Sequence, residues 1–325
     1  MDWLITGGCG FIGTNLIHQL QEEGEHSIRV VDNLSEGARN HLGRVSSFVE
    51  KDREELGPTF SDEVELVVGD IRDPELANLA SQGSEIIVHL AANSSVPKSI
   101  ERPRHDCSTN VNGTLNYLEA ARNRDVKRFI FASSVAPLGD CSPPIHEDMA
   151  PHPKAPYGAS KLAGEGYCSA YQQTYGVQTA ALRFANVYGP LSEHKESVVA
   201  KFIRRALHGD PLEVYGDGQQ TRDFVHTNDL VRAIQLAASQ PKVNGEIFQI
   251  ATNSETTLNS LVEMLVPIIE SVRDVGTVDV VHTKPRHGDI RRNYADTSKA
   301  EQILGWTPEV QLDEGLKETV RSFRQ

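Results

Sequence analysis

An α/β fold built on a doubly wound parallel sheet is what this 325-residue sequence predicts, on three observations. Short apolar runs recur through the N-terminal half, helical patterns separate them, and a glycine-rich segment joins the first run to the first helix. The runs are apolar on both faces instead of alternating, as strands must be when helices cover both sides of a sheet.

In chain order, Trp3 to Thr6, Ile28 to Val31, Glu65 to Val68, Ile86 to Ala91, Arg128 to Ser133 and Thr179 to Phe184 read as strands. Phe11 to Glu23 reads as a helix, and so does Pro156 to Tyr175, which prolines open and Gly176 closes. Beyond about Pro190 the rhythm loosens into helices at Val198 to His208, Asp229 to Ser239, Leu258 to Val272 and Leu312 to Phe323, with short strands between. At roughly 100 to 200 residues per domain the chain has room for about two. The expected division is residues 1–190, recruiting about 226–250, as a dinucleotide-binding domain, and 191–225 with 251–325 as a smaller mixed C-terminal substrate domain. No Pro/Gly-rich linker separates them, so a shared interface and a binding cleft are expected.

Composition removes several function classes. Lys plus Arg number 32 against 45 Asp plus Glu, a formal charge of -13, which leaves no electrostatic footprint for nucleic acid or a membrane surface. The opening Met1-Asp2-Trp3-Leu4-Ile5-Thr6 is no export signal, no run of about 18 apolar residues occurs, and a cytoplasmic location is expected. Cys9, Cys107, Cys141 and Cys168 form no CxxC and no Cys/His ligand spacing, so reduced thiols and no metal are expected.

Gly7-Gly8-Cys9-Gly10-Phe11-Ile12-Gly13 follows the first strand and opens a helix. Gly7 permits the tight turn, Gly10 lets backbone approach a pyrophosphate, and Gly13 lets helix pack on strand, a Rossmann-type arrangement. The N–H groups at the helix start, from Phe11 and Ile12 onward, carry the positive end of the dipole. About twenty residues on, the second strand ends at Asp32, whose carboxylate can accept both ribose hydroxyls and would repel a 2′-phosphate. NAD is therefore expected over NADP. Asn33, Asp70 and Ile71 on the adenine side, Leu90, Ala91 and Ala92 along the cofactor, and Asn110 toward the nicotinamide join the candidate set.

Tyr157 and Lys161 stand four apart in the second helix and so share a face. A phenol of pKa about 10 needs roughly 4 kcal/mol of stabilisation to ionise near pH 7. An adjacent ammonium and a positive nicotinamide ring can supply it. Ser133 and Ser134 end the preceding strand, where a hydroxyl could share a substrate oxygen with Tyr157.

With these motifs the chain resembles the extended short-chain dehydrogenase/reductase family, in particular its NAD-dependent nucleotide-sugar epimerases and dehydratases. The resemblance runs almost end to end, through Val31-Asp32-Asn33-Leu34, Gly69-Asp70-Ile71, His89-Leu90-Ala91-Ala92, Tyr157 to Lys161, Leu182 to Pro190, Arg222 to His226, and Arg286 to Asp289. It implies Ser134 as the catalytic hydroxyl ahead of Ser133, with Tyr157 as base and Lys161 also holding the nicotinamide ribose. It further implies Asn186, Arg222 and Arg286 on the diphosphate of a UDP-sugar, Tyr215 beside the uracil and Asp289 on its ribose. Ser94, Val198 and Asn293 complete the substrate set, Asn293 gating the sugar's C2 substituent; His226 reads as structural. Homodimers are usual among such relatives.

The resemblance also separates reactions. Dehydratases carry an Asp-Glu pair directly after the catalytic hydroxyl and decarboxylases usually a Glu at the first position, where this chain has Val135-Ala136. Epimerisation needs no further acid, so 4-epimerisation of a UDP-hexose (UDP-glucose, UDP-N-acetylglucosamine or UDP-glucuronate type) is the expected reaction. UDP-glucuronate decarboxylation or another NAD-dependent nucleotide-sugar oxidation or dehydration is the alternative, and a non-catalytic nucleotide-binding protein the remote one. Pro137-Leu138-Gly139 stands where relatives often have Val-Tyr-Gly, which removes a phenol from the sugar-side loop.

Overall fold

The computed structural model describes residues 1–241, 243–272, 276–285 and 290–323. Its first stretch runs β1 (Asp2–Thr6), α1 (Phe11–Glu23), β2 (Ser27–Asp32), α2 (Arg39–Gly43), β3 (Phe48–Glu50), β4 (Val64–Val68), α3 (Pro74–Ala80) and β5 (Ile86–His89). Then come α4 (Val96–Glu101), α5 (Pro103–Cys107), a π-helical turn (Ser108–Asn112), α6 (Gly113–Asn123), β6 (Arg128–Ser134), α7 (Pro156–Tyr175), β7 (Thr179–Phe184) and β8 (Asn186–Tyr188). The remainder is α8 (Val198–Leu207), β9 (Leu212–Tyr215), β10 (Thr221–Arg222), β11 (Phe224–His226), α9 (Thr227–Ser239), β12 (Glu246–Ile250), β13 (Thr256–Thr257), α10 (Leu258–Val272), β14 (Val280–Thr283) and α11 (Leu312–Ser322).

Eight strands form one parallel sheet in the order β12-β7-β6-β5-β1-β2-β4-β3. The chain starts in the middle and winds outward in both directions, so the order reverses between β1 and β5. At that switch point the loops leaving neighbouring strands diverge and open a crevice at the carboxyl edge. The apolar runs are explained by the two faces. Trp3 and Ile5 enter one buried cluster with Leu16, Val30 and Phe248, while Leu4 enters another with Val31, Phe129 and Cys168. Both sides of every central strand are thus buried.

The helix ends follow local chemistry. α1 closes on Gly24 (φ 76°), whose N–H donates to Leu20 O, and α7 opens on Pro156 and closes on Gly176 (φ 75°), whose N–H donates to Gln172 O. A separate apolar cluster gathers Val199, Phe202, Leu212, Leu261, Leu265 and Leu316 from α8, β9, α10 and α11. β12 and α9, from the stretch expected to be recruited, pack on β7 and α1 respectively.

One expectation needs correction. The strand expected over Ile86 to Ala91 stops at His89, opposite Thr6, where its partner β1 ends. The sheet has eight strands: beside the six apolar runs, β12 comes from the stretch expected to be recruited, and the short β3 (Phe48-Val49-Glu50) is added by pairing with β4. Among the described residues no helix is long and apolar enough to cross a membrane, and no His/Cys/Asp/Glu group is arranged to hold a metal ion.

Candidate functional site

The glycine loop sits at the switch point. Gly7 has φ 72°, and a Cβ there would lie 2.8 Å from Ala91 N, so only glycine lets the end of β1 turn against the segment after β5. A Cβ on Gly13 would come within 2.5 Å of Gly7 O and Gly8 Cα, which explains how α1 begins so close to the loop. No side chain caps α1 at Gly10 among the described residues, and its first N–H groups, at Phe11 and Ile12, point out of the helix start. Asp32 is buried, with Oδ2 accepting from Cys9 N at 3.0 Å and Oδ1 from Leu34 N at 2.8 Å. Burial raises its pKa while those two donors lower it. A dinucleotide fits this donor set: free amides for a pyrophosphate and, one strand away, a fixed carboxylate with lone pairs left for ribose hydroxyls.

The adjoining candidates are placed variously. Asn33 Nδ2 donates to Asp70 Oδ2 at 3.4 Å, and Asp70 is held at a pKa of about 2 by a two-bond pair with Arg72. Ile71 is buried, and Leu90 and Ala92 are half-buried beside Ala91. Asn110 is wholly engaged: its Oδ1 accepts from Asn93 N (2.7 Å) and its Nδ2 donates to Asn93 O, Asp106 and Ser160. Through these bonds it ties the loop after β5 to α7.

Tyr157 and Lys161 lie one helical turn apart on α7, with Lys161 Nζ 6.0 Å from the Tyr157 ring centroid. Lys161 is buried; its Nζ donates to Ala132 O at 2.7 Å and stands 4.9 Å over the Phe131 ring. The two serines at the end of β6 separate cleanly. Ser133 Oγ donates to Glu165 Oε1 at 2.5 Å, whereas the half-exposed Ser134 hydroxyl faces Tyr157 and lowers the pKa of its phenol. Strand alternation forces this split, since consecutive residues point to opposite faces.

Burial nevertheless dominates the phenol and, with a smaller contribution from the Asp106 charge, pushes Tyr157 up to about 12. Burial also pushes Lys161 down to about 8, against the Asp106 and Glu165 carboxylates that hold it up. The help expected for Tyr157, from the ammonium and a positive nicotinamide ring together, must therefore also offset this burial. From about 12, ionisation near pH 7 asks for about 7 kcal/mol instead of about 4.

On the outer side, Asn186 N and Nδ2 both donate to Asp223 O, at 3.0 and 3.2 Å. Tyr215 ends β9, with Lys201 Nζ 5.5 Å from its ring centroid, and Val198 begins α8. Arg222 Nη1 donates to Thr221 O (2.7 Å) and Ile290 O (2.8 Å), and Asn293 N donates to Thr221 Oγ1, so Arg222 and Asn293 are brought together around one residue. Ser94 is exposed in the loop after β5. Arg286 and Asp289 lie outside the described residues. His226, read as structural, caps α9 by accepting from Asn228 N through Nδ1.

Sequence reasoning missed the groups behind the pair: Asp106, Asn93, Ser160, Glu165 and Arg183. Glu165 accepts from Arg183 Nε and Nη2, both at 2.8 Å, in a buried ion pair. The available signals were Glu165 four residues beyond Lys161 and Asp106 four before Asn110, spacings too common to single out alone.

A family model described as the NAD dependent epimerase/dehydratase family matches residues 3–251. A UDP-glucose 4-epimerase of Mycolicibacterium smegmatis is 36% identical over 330 residues, covering 100% of this chain and 99% of that protein. The crystal structure of a Thermotoga maritima UDP-glucose 4-epimerase with UDP-glucose superposes with a TM-score of 0.86 at 36% identity, over 99% of this chain and 98% of that one. A Thermus thermophilus UDP-glucose 4-epimerase solved with NAD gives 0.84 at 32% identity, over 99% and 98%.

Proposed function

The chain belongs to the NAD dependent epimerase/dehydratase family, and from that premise we propose that it is an NAD-dependent 4-epimerase of a UDP-hexose. The observation that carries the reading is the Ser134/Tyr157/Lys161 group at the carboxyl edge of the sheet, followed by the acid-free Val135-Ala136. An epimerase needs a single proton acceptor and donor at the sugar oxygen, and a dehydratase needs an additional acid and base.

Gly7 to Gly13 and Asp32 would hold the dinucleotide, with Lys161 on the nicotinamide ribose. Bound there, NAD supplies a reversible hydride acceptor and a positive charge next to the phenol. Tyr157 takes the proton of the C4 hydroxyl and returns it, and Ser134 steadies that oxygen. Arg222, with Arg286, Asn186, Tyr215 and Asp289 as further candidates, would anchor the nucleotide diphosphate. Ser94, Val198 and Asn293 are proposed on the sugar side. The anchor lets the keto sugar turn about its diphosphate link and present its other face.

Purified protein incubated with UDP-glucose, UDP-N-acetylglucosamine and UDP-glucuronate should convert at least one into its C4 epimer without net NADH. All three returning unchanged while nicotinamide absorbance accumulates would replace this reading with a net oxidoreductase. Exposed Ile100, Tyr167 and Tyr175 on α4 and α7 support a homodimer, which light scattering would detect as twice the chain mass and refute as a monomer.

A further inference from the structure

Asp106 is wholly buried (0% exposed), one residue from the end of α5, which runs into the π-helical turn Ser108–Asn112. Such turns often mark functional positions, since they re-aim side chains within a helix. Here the turn accompanies the approach of Asp106 and Asn110 on one face. Asp106 Oδ1 accepts from Asn93 Nδ2 at 3.1 Å and from Asn110 Nδ2 at 3.2 Å. Asn110 Nδ2 also donates to Ser160 Oγ at 3.0 Å, within the Tyr157 to Lys161 turn, and α5 packs on α7. Asp106 Oδ2 has no hydrogen-bond partner among the described residues.

A buried ammonium requires a counter-charge. Two carboxylates act on Lys161 through space, neither in a direct ion pair with it: Asp106 from α5 and Glu165 from its own helix. Glu165 is already committed, with both oxygens on Arg183 and a third bond from Ser133. Asp106 alone of the two retains an oxygen without a donor. Cys168 on α7 and the buried His89 on β5 are the other titratable groups near the ammonium, while His105 and Tyr157 flank Asp106.

We propose that Asp106 is a positioning residue for the Tyr157/Lys161 pair, joining the loop after β5 to α7 through Asn93, Asn110 and Ser160 and serving as counter-charge to the Lys161 ammonium. This rests on the reading of Tyr157 and Lys161 given above. Its charge raises the pKa of both groups, so removing it makes both easier to deprotonate.

The test is Asp106→Asn, nearly isosteric, compared with Asp106→Glu and Tyr157→Phe in the holoprotein. The readouts are melting temperature, dinucleotide content and the pH profiles of kcat and KM on the UDP-sugar that the wild type turns over. Asp106→Asn should keep bound NAD and change KM less than about threefold. Its kcat should fall about tenfold at pH 8, with both limbs of the profile displaced about one unit toward acid. Asp106→Glu keeps the charge but strains the bonds to Asn93 and Asn110, so kcat falls while the limbs stay in place. Asp106→Asn matching wild type at every pH overturns the inference. So does a lowered melting temperature with an unmoved profile, which is what a merely structural residue gives. If Asp106→Asn does not fold, Asp106→Glu decides: unchanged kcat, or displaced limbs, refutes the proposal. Tyr157→Phe separates the two failures. Wild-type turnover in that variant sinks the reading of the site itself, whereas an inactive Tyr157→Phe beside a wild-type-like Asp106→Asn sinks only the role of Asp106.

Discussion

At the Tyr157/Lys161 end, each candidate catalytic side chain stands on the twenty-residue α7 or at the end of a central strand, and its neighbours are buried. At the Tyr215/Arg222/Asn293 end, the side chains stand on a four-residue strand, a two-residue strand and an irregular segment, and they are half-exposed. The ion pairs follow the same division. Glu165–Arg183 behind Lys161 is at most 3% exposed, while the partners of Arg291–Asp217 and Arg292–Glu255 near Asn293 are 26–63% exposed. Breaking a buried pair of the first kind typically costs about 3–5 kcal/mol, and solvent screens the second kind to little. The inner end is therefore the more firmly held, which suits the chemistry proposed for it, and the more open outer end suits the ligand grip proposed there.

The sharpest way to break this comparison is Tyr157→Phe. We expect turnover to fall by about 10²–10⁴ with NAD retained; undiminished kcat would mean that the buried end is not where the proton moves. A smaller effect is expected from Arg222→Ala, which would remove the donors proposed for the diphosphate, worth about 1.5–3 kcal/mol, and so raise KM about 10- to 100-fold with kcat held. If kcat dropped and KM stayed, the outer end would be doing chemistry. The smallest effect belongs to Asn293→Ser, where the ratio of kcat/KM for N-acetylated over plain UDP-hexose should rise about tenfold, in line with a small change in pocket size. An unmoved ratio would take Asn293 out of the sugar pocket.

The inner end was also the more legible one. The turn at Gly7, the close approach at Gly13 and the pairing of Tyr157 with Lys161 are local events, set within seven residues of chain, and period and residue type suffice to read them. The outer end depends on segments that meet only in three dimensions. Arg222 reaches Ile290, and Asn293 reaches Thr221, across some seventy residues. Two of its candidates, Arg286 and Asp289, lie outside the described residues.

By itself the sequence determined the doubly wound sheet, through strands apolar on both faces, and the position of the glycine loop, the acid at Asp32 and the tyrosine–lysine face. Tertiary structure decided the rest. It gave Ser133 its Glu165 partner, set β12 in register beside β7, and brought Asp106 together with Asn93, Asn110 and Ser160 in one hydrogen-bonded group. It also buried the Tyr157 phenol, a cause that raises its pKa and that residue spacing does not reveal. The physical reason is common to all four. Periodicity and turn chemistry act over a few residues and are written in the sequence, whereas desolvation and charge pairing depend on what surrounds a group from every side, and only the packed chain supplies that.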